Sequence, residues 1–110
     1  MSYRVRLTKA AEADFEERLT FLAERSPSAA GKLHSKYLEA LARLRDFPLS
    51  CGLAHENPRF AEEIRHLLLW VYPKRKCRAL FTIRGDEVVI LAIRAPGERT
   101  VEPKDLAPDV

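Results

Sequence analysis

The densest chemistry-bearing stretch of this chain is Lys74-Arg75-Lys76-Cys77-Arg78, four cations within five residues. Such a cluster is a local source of positive potential that can meet phosphate or carboxylate groups, and the same run also reads as a solvated turn. Elsewhere the charge is balanced. Residues 1–58 carry nine Lys/Arg against eight Asp/Glu and residues 59–110 carry ten against eight, so the net charge is +3. That excess is too mild to mark a dedicated nucleic-acid-binding domain. Cys51 and Cys77 form no Cys-x-x-Cys and read as buried thiols in a reducing compartment. His34, His55 and His66 share no ligand spacing with the cysteines or with each other, so no metal and no cofactor is expected. No convergent group of titratable side chains announces a self-contained enzyme pocket.

Something must position those cations. At 110 residues, 46% hydrophobic and 32% charged, the chain is long enough for a single domain over 1–110 with a real core. The core is expected over 3–95, and 96–110, with three prolines and many charges, is expected to be an extended or loosely docked tail. No apolar run reaches the roughly 18 residues of a membrane span, and the N-terminus lacks a secretory signal, so a soluble cytoplasmic protein is expected.

Tyr3-Arg4-Val5-Arg6-Leu7 alternates apolar and cationic residues as a strand does, its arginines keeping an edge soluble. Thr8 is a good N-cap for a helix whose stripe is Ala11, Phe15, Leu19 and Leu22, with acids on its first turns. Pro27 stops that helix. Ser28 is placed to cap a second, with Ala30, Leu33, Tyr37, Leu41 and Leu44 as its apolar stripe and Pro48 as its stop. Residues 48–58, with two prolines, Gly52 and Asn57, read as an irregular connection. Beyond them the period changes to two. Strands are predicted over 63–69, 77–84 and 88–94, the last two joined by a type II′ turn at Gly85-Asp86. The fold class is therefore α+β in the order β-α-α-β-β-β, an antiparallel-rich sheet with a helical hairpin packed on one face.

In the last hairpin both sets of alternating positions are apolar. Leu80, Val89, Leu91 and Ile93 form one set, and Phe81, Ile83, Val88 and Ile90 the other. The helical hairpin covers only one face. The other needs the tail, a second copy, or a separate protein, and the sharper expectation is an obligate partner.

Three segments together resemble the sheet core of the RelE/ParE toxins: Glu63-Ile64-Arg65-His66-Leu67-Leu68, Arg78-Ala79-Leu80-Phe81-Thr82-Ile83 with Gly85-Asp86, and Val88-Val89-Ile90-Leu91-Ala92-Ile93-Arg94. Tyr3 to Thr8, Ala10-Ala11-x-Ala13-Asp14-Phe15, and Ala29-Ala30 through Phe47-Pro48 resemble that family's first strand and two helices. The likeness covers residues 3–99. It implies the toxin of a plasmid or chromosomal type II toxin–antitoxin pair, causing growth arrest and held in a hetero-oligomer by a cognate antitoxin. It also implies one of two activities. RelE-like members cleave messenger RNA on the ribosome; ParE-like members bind and inhibit DNA gyrase, the A subunit being the expected target here, without a catalytic centre of their own.

RNA cleavage by the 2′-hydroxyl needs a base, an acid and cations at the phosphorane. Arg78 matches the strand arginine of the nucleases and would serve as the phosphate-binding cation. Past residue 72, however, there is no tyrosine or histidine, and Ala95 stands where many relatives carry a histidine after the strand arginine. Tyr72 and the cations 74–76 would have to substitute. The ParE-like resemblance fits better, with Arg65, Arg78, Arg94, Arg99, Lys74, Arg75 and Lys76 as the residues that meet target or antitoxin. Arg65 also has a plain reading, as the partner of an acid such as Glu63. A transcription factor is disfavoured, since Lys32, Lys36, Arg43 and Arg45 are scattered with no helix-turn-helix companion.

Overall fold

The computed structural model describes residues 2–72, 75–95 and 97–106, without the side chains of residues 71, 72 and 75. Strand β1 (Arg4–Leu7) leads into helix α1 (Lys9–Arg25) and helix α2 (Pro27–Asp46), followed by strands β2 (Arg65–Tyr72), β3 (Arg75–Arg84) and β4 (Glu87–Arg94). The sheet order is β1-β4-β3-β2, with β1 parallel to β4 and the other two pairings antiparallel. The α+β class and the order of elements are as the periodicity predicts, each strand starting within two residues of its expected position.

Local chemistry explains the helix ends. Thr8 Oγ1 accepts from the Ala11 amide at 3.1 Å and donates to the Leu91 carbonyl at 3.2 Å, so one hydroxyl starts α1 and ties it to β4. The start of α2 differs from expectation. Its N-cap is Ser26, whose Oγ accepts from Ala29 N at 3.2 Å, and Pro27 is the first residue inside the helix rather than only the stop of α1. Proline belongs there because its ring presets a helical φ and its missing N–H would have had no partner anyway. Ser26 thus ends one helix and begins the next. The two helices lock through Phe15 and Tyr37, stacked with ring centroids 4.1 Å apart. At the hairpin between β3 and β4, Gly85 sits at φ +61° and no described non-glycine residue has a positive φ. Asp86 therefore lies at negative φ, as the type II′ turn requires.

The two sheet faces carry the largest surprise. The face under the helices holds Leu67, Leu69, Cys77, Ala79, Phe81, Val88, Ile90 and Ile93 against Leu33 and Leu44. The opposite face, with Leu80, Val89, Leu91 and Ala92, is buried as well, beneath Ala54, Phe60, Ile64, Val101 and Leu106 of the same chain. The expectation that a separate protein covers this face is therefore corrected. The irregular segment after α2 and the tail each deliver apolar side chains to it, which removes the surface from water without a partner. Ile93 has also changed sides. Leu80 pairs with Ala92 and Phe81 with Ile90, so Leu91 is an extra residue in β4, and the bulge turns Ile93 toward the helices. Both cysteines are free and buried, and burial pushes both thiols up from their ordinary pKa.

Candidate functional site

Three of the predicted cations, Lys76, Arg78 and Arg94, share the second face of the sheet, where β3 places Arg78 between Leu68 of β2 and Arg94 of β4. Arg78 is not free to meet a ligand. Its Nη1 and Nη2 donate to the two oxygens of Glu56 at 2.9 and 2.7 Å, a bidentate fork onto a side chain with no solvent exposure. Glu56 reaches this position because the segment carrying it is folded on itself. Ala54 N donates to the Ile64 carbonyl at 2.9 Å, and Ile64 N to the Asn57 side-chain oxygen at 2.8 Å. Glu56 Oε2 also accepts from the Val101 amide at 3.2 Å, so one carboxylate fastens sheet, connecting segment and tail. Burial by itself would raise the Glu56 pKa, but the Arg78 fork, the Val101 amide and the Arg78 charge outweigh it and hold the carboxyl at about 2.

The remaining predicted residues fall into separate positions. Arg65 donates to Glu63 at 3.0 Å and to the Cys51 carbonyl at 2.5 Å, so its plain reading as the partner of Glu63 is the one seen. Arg94 is mostly buried, with Nη1 3.7 Å from Glu98 and its Nε without a hydrogen-bond partner. Arg99 is exposed on the tail and forks onto Asp105 at 2.7 and 2.8 Å, which holds that carboxyl well below its usual range. Lys76 is exposed, its Nζ 5.0 Å from the centre of the Trp70 ring. Lys74 and the side chain of Arg75 lie outside the described residues. The sheet brings Arg78 and Arg94 side by side, with Lys76 two positions along β3; Arg65 and Arg99 sit apart from them.

Three polar residues near Arg78 were not singled out by sequence reasoning. His55 Nδ1 lies 3.5 Å from Glu56 Oε1, and its other ring nitrogen is 3.2 Å from the Thr100 hydroxyl. His66, on β2, has a buried Nδ1 without a partner, and its ring is pushed toward the neutral form by burial first and by the Arg78 charge second. Glu56 is the third. Nothing local in residues 48–58 could have revealed it, because an irregular segment has no period from which an inward direction follows. As arranged, these groups hold the second face closed. The Arg78 fork is turned on a carboxylate, and a phosphate would have to displace Glu56 to reach it. Among the described residues no cluster of three or more His, Cys, Asp or Glu could hold a metal ion, and no helix is long and apolar enough to cross a membrane.

This arrangement of a helical hairpin on a β1-β4-β3-β2 sheet has relatives. A solved structure described as a chromosomal ParDE toxin–antitoxin system from P. aeruginosa superposes with a TM-score of 0.65 at 22% identity, covering 86% of this chain and 96% of that one. A search of curated proteins returned no significant match. The profile of the ParE toxin of the type II toxin–antitoxin system parDE matches residues 5–98. The chain belongs to the ParE toxin family of type II toxin–antitoxin systems.

Proposed function

We propose that the chain, acting as one toxin unit, arrests growth by binding DNA gyrase through its A subunit and is neutralised in a hetero-oligomer by a cognate antitoxin. Family membership supports the toxin role. The observation that carries the choice of a binding mode over RNA cleavage is the Arg78–Glu56 fork, in which the strand arginine available to a transition-state phosphate is already committed to a buried carboxylate. Releasing it would leave a buried charge uncompensated, at a cost of roughly 3–5 kcal/mol. Ala95 beside Arg94 adds no proton carrier. Lys76, Arg94 and Arg99, with Lys74 and Arg75, are the cations proposed to meet gyrase or antitoxin. Arg65 and Arg78 act behind them, in holding the surface together.

Inducing the chain in cells tests this. The expected outcome is a DNA-damage response with filamentation, relieved by co-expressing a short acidic protein encoded alongside. Rapid translational arrest with transcripts cut on the ribosome would instead indicate the messenger-RNA endonuclease, and the binding mode would be abandoned.

A further inference from the structure

Helix α2 runs out into Phe47-Pro48-Leu49-Ser50, where two large apolar residues flank a proline. Folding normally turns such side chains inward, because each one left outside keeps apolar area in water. Here Phe47 and Leu49 are the most exposed large hydrophobic residues among those described, at 68% and 63%. Pro48 between them is buried and opens a single 3-10 turn, Pro48–Ser50, so both side chains project from a seated base. Hydrogen bonds hold that turn from each end. Phe47 N donates to the Arg43 carbonyl at 2.6 Å, Ser50 N to the Phe47 carbonyl at 3.1 Å, and Cys51 N to the Pro48 carbonyl at 3.2 Å. Arg43 braces it from the helix, Nε donating to Ser50 Oγ at 3.1 Å and Nη2 to the Ser50 carbonyl at 3.3 Å. Behind it Cys51 is buried in the core under the helices.

The charges beside the turn do not cancel. Arg43 and Arg45 are both exposed. Arg43 donates to neutral oxygens of Ser50, and Arg45 has one acid, Asp46, at 4.0 Å. Two cations therefore stand against a single carboxylate. Phenylalanine and arginine are residue types concentrated at protein interfaces, and a braced turn has little freedom left to lose on binding. Neither Phe47 nor Leu49 lines the hollows walled by β2 and α2, so the turn is a surface of its own.

We infer that the Phe47–Leu49 turn is the anchor by which the chain docks onto its target protein, entering an apolar pocket rimmed by carboxylates. Two projecting, rigidly held side chains need a concave receptor, which a folded protein offers ready-made. An extended polypeptide that wraps the toxin has no such pocket. A second copy of this chain fits less well, because a two-fold contact through the turn would set Arg43 and Arg45 against their own counterparts. The inference deepens the gyrase reading, on which it rests for the identity of the partner: the target's pocket is matched to this turn, and Arg43 and Arg45 meet its acidic rim.

The test is the full chain carrying both Phe47→Ser and Leu49→Ser, compared with wild type for inhibition of supercoiling and for binding to purified gyrase A subunit. Both side chains are already exposed, so the melting temperature should stay within about 3 °C of wild type. Inhibition and binding should each weaken by about tenfold or more, while affinity for the antitoxin holds. Phe47→Leu alone, which keeps an apolar anchor, should retain most of the inhibition. Arg45→Glu should weaken it several-fold, and added salt should lessen the difference between Arg45→Glu and wild type. A wild type that inhibits and a double variant that inhibits equally overturn this inference and leave the gyrase reading standing. A wild type without effect on gyrase overturns both. Loss of antitoxin affinity in step with inhibition would give the turn to the antitoxin. Binding to phosphatidylglycerol vesicles, lost in the double variant while gyrase inhibition persists, would give it to a lipid surface. Either result also overturns the inference.

Discussion

Replacing Glu56 with glutamine removes the charge that balances Arg78 while keeping the side chain's size. Glu56 has no solvent exposure and Arg78 only 15%, so water can do little to replace the lost partner. Breaking a buried pair from one side costs about 3–5 kcal/mol, a large share of the roughly 5–15 kcal/mol that stabilises a domain. For a chain of this size that corresponds to a fall in melting temperature of about 12–20 °C, read by far-ultraviolet circular dichroism. The pH dependence should agree in size and sign. The carboxyl titrates at about 2 in the folded chain against an ordinary 4.5. The folded state therefore binds fewer protons in that interval, and the contribution is complete above pH 4.5 and lost as pH falls through about 2. It amounts to on the order of 3 kcal/mol, and Glu56→Gln should lack that part of the acid slope. Glu56→Gln with Arg78→Met, which removes both charges, should recover much of the loss. A single substitution costing less than about 1 kcal/mol would show that the fork does not hold the second face closed.

Other perturbations follow from the same contacts. Val101→Ala, at a side chain buried against the second face, should cost about 2 kcal/mol in urea unfolding and increase binding of a hydrophobic dye. Ser26→Ala should cost about 1 kcal/mol, whereas Ser28→Ala should stay within about 0.5 kcal/mol, because Ser26 caps α2; thermal melts of the pair separate the two assignments. Gly85→Ala forces a side chain into the left-handed region at φ +61° and should destabilise by roughly 1–2 kcal/mol, again read from melting.

Those contacts also show where sequence patterns inform and where they stop. Helices α1 and α2 were legible because steps of three and four residues state which side is apolar before any packing is known. The β3–β4 hairpin was legible because glycine at the first turn position has a local cause. What depends on contacts between distant residues was not. The parallel neighbour of β4 is β1, more than 80 positions away in sequence, and no local pattern encodes it. The bulge at Leu91 moved Ile93 across the sheet, because strict alternation holds only while each residue has one partner. Of the candidate site, the cations on β3 and β4 were visible as residue types, but their state was not. Arg78 looks available in sequence and is committed in space, since Glu56 arrives from a segment whose direction only the fold determines. The second apolar face was correctly seen as needing cover, and two irregular segments of the same chain supply it.

The most direct test of the account is supercoiling of relaxed plasmid by purified gyrase in the presence of the purified chain. Binding-mode toxicity predicts loss of supercoiling at near-stoichiometric toxin, restored by the antitoxin, with ribosome-bound messenger RNA left intact. Normal supercoiling at a large excess of the chain, alongside cleavage of ribosome-bound transcripts, would contradict it.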